Sequence, residues 1–301
     1  MTAAHRRPRP RRRSRRVLVV LGVAALAAYG ASRLASHATA SGPTALAGTF
    51  APGACVELGP TQGNRHETVF LDAGHGGPDP GSIGVDPAGQ RVEEKQFTLP
   101  VELATGALLR SDGYTVVLSR TVDGPVAALG PGDLDGTVLT AAGEHADLAA
   151  RVRCANEAHA AVLVSIHFNA FSDPNVGGAL TTYDAARSFS AENERLASLL
   201  EHDVVASLAR GGWDVPARGV TPDTNVGGPA LTAAGAAYDH LYLLGPRAPG
   251  FNDDPSDMPG ALVEPLFITD PAETAILEDP AGREAIASGI AEAIEQFLAA
   301  R

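Results

Sequence analysis

Lysine is nearly absent: of 23 basic residues in the 301-residue chain, only Lys95 is lysine, a skew that reads as coding bias rather than function. Aromatic residues make up 5%, and cysteine occurs twice, at Cys55 and Cys154. No apolar run reaches the ~20 residues of a comfortable membrane span; the longest candidate, Val17 to Ala31, falls short of it. No internal repeat is visible. The glycine-rich loop after residue 73 lacks the Gly-Lys-Ser/Thr ending of a phosphate-binding P-loop, and no compact H-E-x-x-H occurs.

Acid is missing from residues 1–40, which hold nine arginines, leaving 14 basic against 35 acidic residues in the remainder. A basic block, the apolar stretch Val17–Ala31 and then Ala38-Thr39-Ala40 describe an export signal; Ser14-Arg15-Arg16-Val17-Leu18 also resembles a twin-arginine signal. The expected organisation is an export signal over 1–40 (a membrane anchor only if uncleaved), a linker leading into the domain over 41–65, and a catalytic domain over 66–301. The basic block then belongs to the signal, so no nucleic-acid partner is expected. The expected location is outside the cytoplasm. In such an oxidising compartment Cys55 and Cys154 can pair.

What is present is an alternation of strand-like and helix-like stretches. Thr68–Leu71, Thr115–Ser119, Val162–His167, Ala179–Tyr183, His240–Leu244 and Ala261–Phe267 read as strands. Helical patterns cover Glu94–Ser111, Glu144–Ala158, Ser190–Leu208 with Ser190 as N-cap, and Gly282–Ala300. This predicts a single α/β domain with a mainly parallel, mixed sheet of about six strands and helices on both faces. Gly124–Gly143 and Gly211–Pro259 read as long irregular segments, available to shape a groove or restrict access to it.

Three of the strands end on groups apt for catalysis: His75, just beyond Thr68–Leu71, then His167, and Glu264 inside Ala261–Phe267. A fourth group, Glu94, opens the first helix. An ionised carboxylate in an apolar strand such as Glu264 is costly unless paired or near a metal, whereas Glu94 alone reads as a carboxylate favoured at a helix start. Two histidines and one carboxylate with one open position make the ligand set of a hydrolytic zinc site, and a second carboxylate can act as general base. From these residues alone the ligand carboxylate is not singled out.

The motifs D-A-G-H-G-G-x-D-P-G-x-x-G, E-K before a helix, S-I-H-F-N-A and L-V-E-P-L-F-I-T-D-P together resemble the zinc-dependent N-acetylmuramoyl-L-alanine amidases of the Amidase_3 type. Leu148, Arg151, Ala155 and Asn156 match that family's L-x-x-R-x-x-x-A-N helix. The resemblance implies one zinc ion held by His75, Glu94 and His167, with Glu264 as catalytic glutamate. Of the adjacent acids, Glu94 is the one that directly precedes the lysine. It also implies a peptidoglycan substrate, cut between the lactyl group of N-acetylmuramic acid and L-alanine of the stem peptide. Asn169 is a candidate for orienting a ligand or substrate, or simply a turn residue. Two other readings of the same residues are a zinc peptidase acting within the stem peptide and an inactive peptidoglycan-binding regulatory module.

Overall fold

The structure is a computed structural model that describes residues 44–45 and 50–301; the expected export signal lies outside the described residues. Strands are β1 (Thr44–Ala45), β2 (Ala54–Leu58), β3 (Thr68–Ala73), β4 (Ile83–Val85), β5 (Arg91–Glu93), β6 (Thr115–Arg120), β7 (Leu134–Asp135), β8 (Val138–Leu139), β9 (Val162–Ile166), β10 (Ala179–Tyr183), β11 (Ala217–Pro222) and β12 (Gly260–Glu264). Helices are α1 (Lys95–Ser111), α2 (Ala141–Glu157), α3 (Ser190–Arg210), α4 (Pro271–Glu278) and α5 (Pro280–Ala299).

The main sheet has eight strands in the order β1-β2-β6-β3-β9-β12-β10-β11, more than the expected six or so. The pairs β3/β6, β3/β9, β9/β12 and β10/β11 are parallel; β1/β2, β2/β6 and β10/β12 are antiparallel. Strand side chains alternate between two buried faces. Val69 and Leu71 of β3, Val116 and Leu118 of β6, and Val162, Val164 and Ile166 of β9 share one core with the apolar stripes of α1, α3 and α5. Phe70, Val117 and Leu163 turn to the opposite core, with Cys154 and Ala155 of α2 and Leu244 and Met258 beyond. A strand buried on both faces reads as a nearly continuous apolar run, which is why β9, interrupted only by Ser165, shows no alternation in sequence.

Several expectations are corrected. His240–Leu244 is a turn rather than a strand, its Leu244 and Gly245 amides both donating to the Leu241 carbonyl. The apolar run that suggested a strand instead packs onto α2: Tyr242, Leu243 and Phe251 meet Val152, Leu148 and Ala149. Ser190 is the first residue of α3 and makes no capping bond. The chain enters that helix through a turn held by the Asp184 Oδ1 atom, which accepts from the Ala186 and Arg187 amides at 2.7 and 2.9 Å. By contrast, Thr140, Asp270 and Asp279 do cap α2, α4 and α5 through their side chains. Within 41–65, Ala54–Leu58 is a sheet strand, and Cys55 on it is joined to Cys154 of α2 by a disulfide with Cα atoms 5.7 Å apart.

Candidate metal centre

Because β3, β9 and β12 are parallel neighbours, their carboxyl ends reach the same edge of the sheet. His75 follows β3, His167 follows β9 directly, and Glu264 is the last residue of β12. Beyond the end of β9 the His167 amide donates to the Val263 carbonyl at 3.0 Å. The fourth residue, Glu94, arrives from the β4–β5 hairpin, whose strands pair Ile83 with Glu93. Crevices beyond the carboxyl ends of strands are where open α/β sheets gather ligands.

The structure brings His75, Glu94 and His167 together with donor atoms all within 4.8 Å of one another. Glu94 is buried between the two imidazoles. Its Oε2 lies 3.1 Å from Nε2 of His75 and its Oε1 lies 3.0 Å from Nδ1 of His167. The same oxygens also accept from the Ser82 and Phe168 amides, at 2.8 and 2.9 Å. The two rings meet edge to face with centroids 4.8 Å apart. Burial alone would raise the Glu94 carboxyl, but the histidines and these bonds hold it well below the usual carboxylate range. Burial also disfavours a charged His75, yet the Glu94 and Asp79 carboxylates overcome it and push the imidazole up to about 10. A set of two imidazoles and one ionised carboxylate, each nitrogen facing the same carboxylate, fits a divalent metal.

Two glycines are required by this packing. A Cβ on Gly74 would stand 2.2 Å from the His167 ring, and one on Gly81, where φ is +67°, would stand 2.6 Å from His75 and 2.7 Å from Glu94. His75 itself has φ of 63°, a left-handed conformation costly for a residue with a side chain. Arg151 holds it there, donating to the His75 carbonyl at 2.7 Å, to the Ala73 carbonyl at 2.8 Å and to Asp72 Oδ1 at 2.7 Å. Asp72 and Asp147 flank the buried guanidinium, so its charge is balanced within the network. Burial would raise the Asp72 carboxyl; Arg151 and the Ser165 hydroxyl more than offset it and hold it low.

Sequence reasoning missed one member of the site. Asp79 Oδ2 lies 2.7 Å from Nδ1 of His75, and its Oδ1 accepts from the Gly81 amide at 3.0 Å. A carboxylate on the far nitrogen fixes the tautomer that leaves Nε2 free to ligate. Asp79 stands in the G-G-x-D-P-G part of the first motif, where nothing in the sequence signals its side-chain partner. Asn169 does more than turn the chain: its Nδ2 donates to Glu264 Oε2 at 2.8 Å. Burial, reinforced by Glu94, pushes the Glu264 carboxyl up to about 8. Beside His75 and His167 a cavity of about 150 Å³ is lined by Asp72, Ser165, Arg151, Glu144 and, from the long 211–259 segment, Pro229 and Leu241–Leu244.

Residues 69–296 match the family described as N-acetylmuramoyl-L-alanine amidase. The chain belongs to this amidase family. Among its relatives is the germination-specific N-acetylmuramoyl-L-alanine amidase of Bacillus subtilis, 26% identical over 230 residues, covering 76% of this chain and 79% of the relative. The amidase AmiC of Neisseria meningitidis is 26% identical over 254 residues, covering 78% of this chain and 53% of that protein. The amidase fold is shared with CwlD of Clostridioides difficile, solved in complex with the GerS lipoprotein (TM-score 0.58, 23% identity, 78% of this chain and 100% of that one). AmiC2 of Nostoc punctiforme superposes similarly (TM-score 0.55, 24% identity, 79% and 99%).

Proposed function

We propose that this chain is a zinc-dependent N-acetylmuramoyl-L-alanine amidase that cleaves peptidoglycan outside the cytoplasm. The observation that carries the reading is the convergence of His75, Glu94 and His167 at one sheet edge, where Glu264 closes the neighbouring strand β12. Family membership supports the substrate, the amide joining the lactyl group of N-acetylmuramic acid to L-alanine. His75 through Nε2, His167 through Nδ1 and the Glu94 carboxylate would hold the zinc. When bound, zinc supplies Lewis acidity, activating water near neutral pH and polarising the scissile carbonyl.

Glu264 takes the proton of the attacking water and returns it to the leaving amine. Burial raises the Glu264 carboxyl above the ordinary carboxylate range, the direction expected of a group that must donate a proton as well as accept one. Asn169 fixes one of its oxygens, which limits the directions in which the other can point. Asp79 orients His75, and Arg151 locks the backbone of the His75 loop.

An extracytoplasmic setting is supported by the substrate and by the Cys55–Cys154 disulfide, since such bonds persist in oxidising compartments. Residues 1–40 serve as the export signal in this reading. Among the described residues no helix is long and apolar enough to cross a membrane. The deciding experiment is digestion of purified peptidoglycan with mass spectrometry of the products. Intact stem peptides with a free L-alanine amino terminus are expected; trimmed peptides still attached to the sugar would refute the assignment.

A further inference from the structure

A second cluster lies at the other end of the sheet. Strand β10 runs antiparallel to β12, so its carboxyl end, followed by Asp184, points away from the edge that holds Glu264. Strand β11 is parallel to β10, and Asp223 follows its last residue, Pro222. His240 comes back from the irregular segment between β11 and β12. Nδ1 of His240 lies 2.8 Å from Asp184 Oδ2 and 3.2 Å from Asp223 Oδ1. Both carboxylates are fully buried at 0% exposure, and His240 is 18% exposed.

The remaining oxygens of the pair are already committed to backbone. Asp184 Oδ1 accepts from the Ala186 and Arg187 amides, and Asp223 Oδ2 accepts from the Leu241 amide at 3.0 Å. This leaves Asp184 Oδ2, Asp223 Oδ1 and the imidazole nitrogen converging on one point, with donor atoms within 4.8 Å of one another. A single N–H at Nδ1 can serve only one carboxylate. Its hydrogen-bond geometry selects Asp223, so the buried Asp184 Oδ2 is left without a hydrogen bond from any described donor. Arg187 does not fill that gap: its guanidinium donates to the Leu244 and Gly245 carbonyls and to Ser256.

An orphaned carboxylate oxygen deep in a protein is destabilising unless something electropositive meets it. We propose that Asp184, Asp223 and His240 form a second binding site for a divalent cation of the zinc class, distinct from the catalytic centre. With bonds of about 2.0–2.1 Å, ligand atoms around tetrahedral zinc stand about 3.3 Å apart. The spacings of 2.8 and 3.2 Å are near that value and resemble the 3.1 and 3.0 Å at His75, Glu94 and His167. The partial exposure of His240 leaves room for water to complete the coordination. The ion would tie three chain positions together and clamp residues 224–239 onto the ends of β10 and β11. That segment contributes Pro229 to the cavity beside the catalytic centre, and Leu241 next to His240 contributes another part of the same wall. The cation's task is therefore to hold a wall of the active-site cleft, not to react.

The test counts ions. Zinc per full-length chain is measured by atomic emission after equilibrium dialysis of the wild type, Glu94→Gln, His240→Gln and Asp223→Asn. Two ions are expected in the wild type, and one in His240→Gln and in Asp223→Asn, with the ion removed by Glu94→Gln reporting separately on the catalytic centre. A wild type that holds one ion lost on Glu94→Gln, or His240→Gln and Asp223→Asn variants that still hold two, would overturn the proposal. Should the cluster variants fail to fold, limited proteolysis of the Glu94→Gln chain decides. Roughly tenfold slower cleavage within 224–239 is expected at zinc ten times its dissociation constant; unchanged cleavage overturns the site.

Discussion

Asp79 offers the sharpest test of how the proposed catalytic centre is held. Its Oδ2 is 2.7 Å from His75 Nδ1, while its Oδ1 ties down the Gly81 amide. Replacing Asp79 by Asn keeps an oxygen for Gly81 but presents an amide N–H₂ to His75. Nδ1 must then accept, which places the ring proton on Nε2, the nitrogen that faces Glu94 and is needed for ligation. Partners of this kind contribute roughly 10- to 100-fold to metal affinity, or about 1.4–2.7 kcal/mol at 1.36 kcal/mol per decade. Asp79→Asn should therefore weaken zinc binding about 10- to 100-fold, and Asp79→Ala should do the same with added loosening of the Gly81 turn. The assay is a competition titration against a chelator of known affinity, with circular dichroism to verify the fold. Zinc affinity within twofold of wild type in both variants would refute the argument that this carboxylate sets the His75 tautomer.

Glu264→Gln should retain zinc while turnover falls about 10²- to 10⁴-fold, the usual share of general acid–base catalysis; an active variant would show that another group moves the proton. Opening the disulfide should be costly, because Cys55 and Cys154 are 99 residues apart. Constraint of a loop that size is worth roughly 4–5 kcal/mol in the chain-entropy view, so urea midpoints of the oxidised and Cys→Ala chains should differ accordingly, and a difference under about 1 kcal/mol would contradict it. Glu102 is buried beneath the site, its Oε1 accepting from the Ala73 and Ser119 amides and its Oε2 without a hydrogen-bond partner. Burial pushes its carboxyl up to about 8 from an ordinary 4.5, against the pull of Arg120. The folded chain thus holds a proton that the unfolded chain releases, and this contribution is complete below about pH 4.5 and lost as pH rises towards 8. Urea stability measured across that window should fall less steeply in Glu102→Gln than in wild type; parallel curves would disprove the shift.

Much of the proposed site was legible without coordinates. Parallel strands deliver their carboxyl ends to one edge, so His75 and His167, at or just past the ends of their strands, are legible as candidates for one crevice, whereas Glu264, inside the expected strand Ala261–Phe267, comes to a strand end only because β12 stops there. Other elements escaped for local reasons. In Ala217–Pro222, glycine and proline mask an edge strand, and in Ala54–Leu58 the strand is short and preceded by turn-forming residues. His240–Leu244 misled because a short apolar run looks alike in a strand and in a buried turn.

The sequence by itself determined the alternation of strands and helices, the order of the four site motifs and the residue types able to hold a metal, because those are properties of neighbours along the chain. Only the tertiary structure decided which carboxylate faces both imidazoles, that Asp79 holds His75, that Asn169 holds Glu264, and that Asp184, Asp223 and His240 meet at the far end of the sheet. Each of those contacts except the pair of Asp79 and His75, four residues apart in one loop, joins residues tens of positions apart or carried on different elements. Their distances are set by strand register, helix docking and the path of the long 211–259 segment, none of which leaves a local signature.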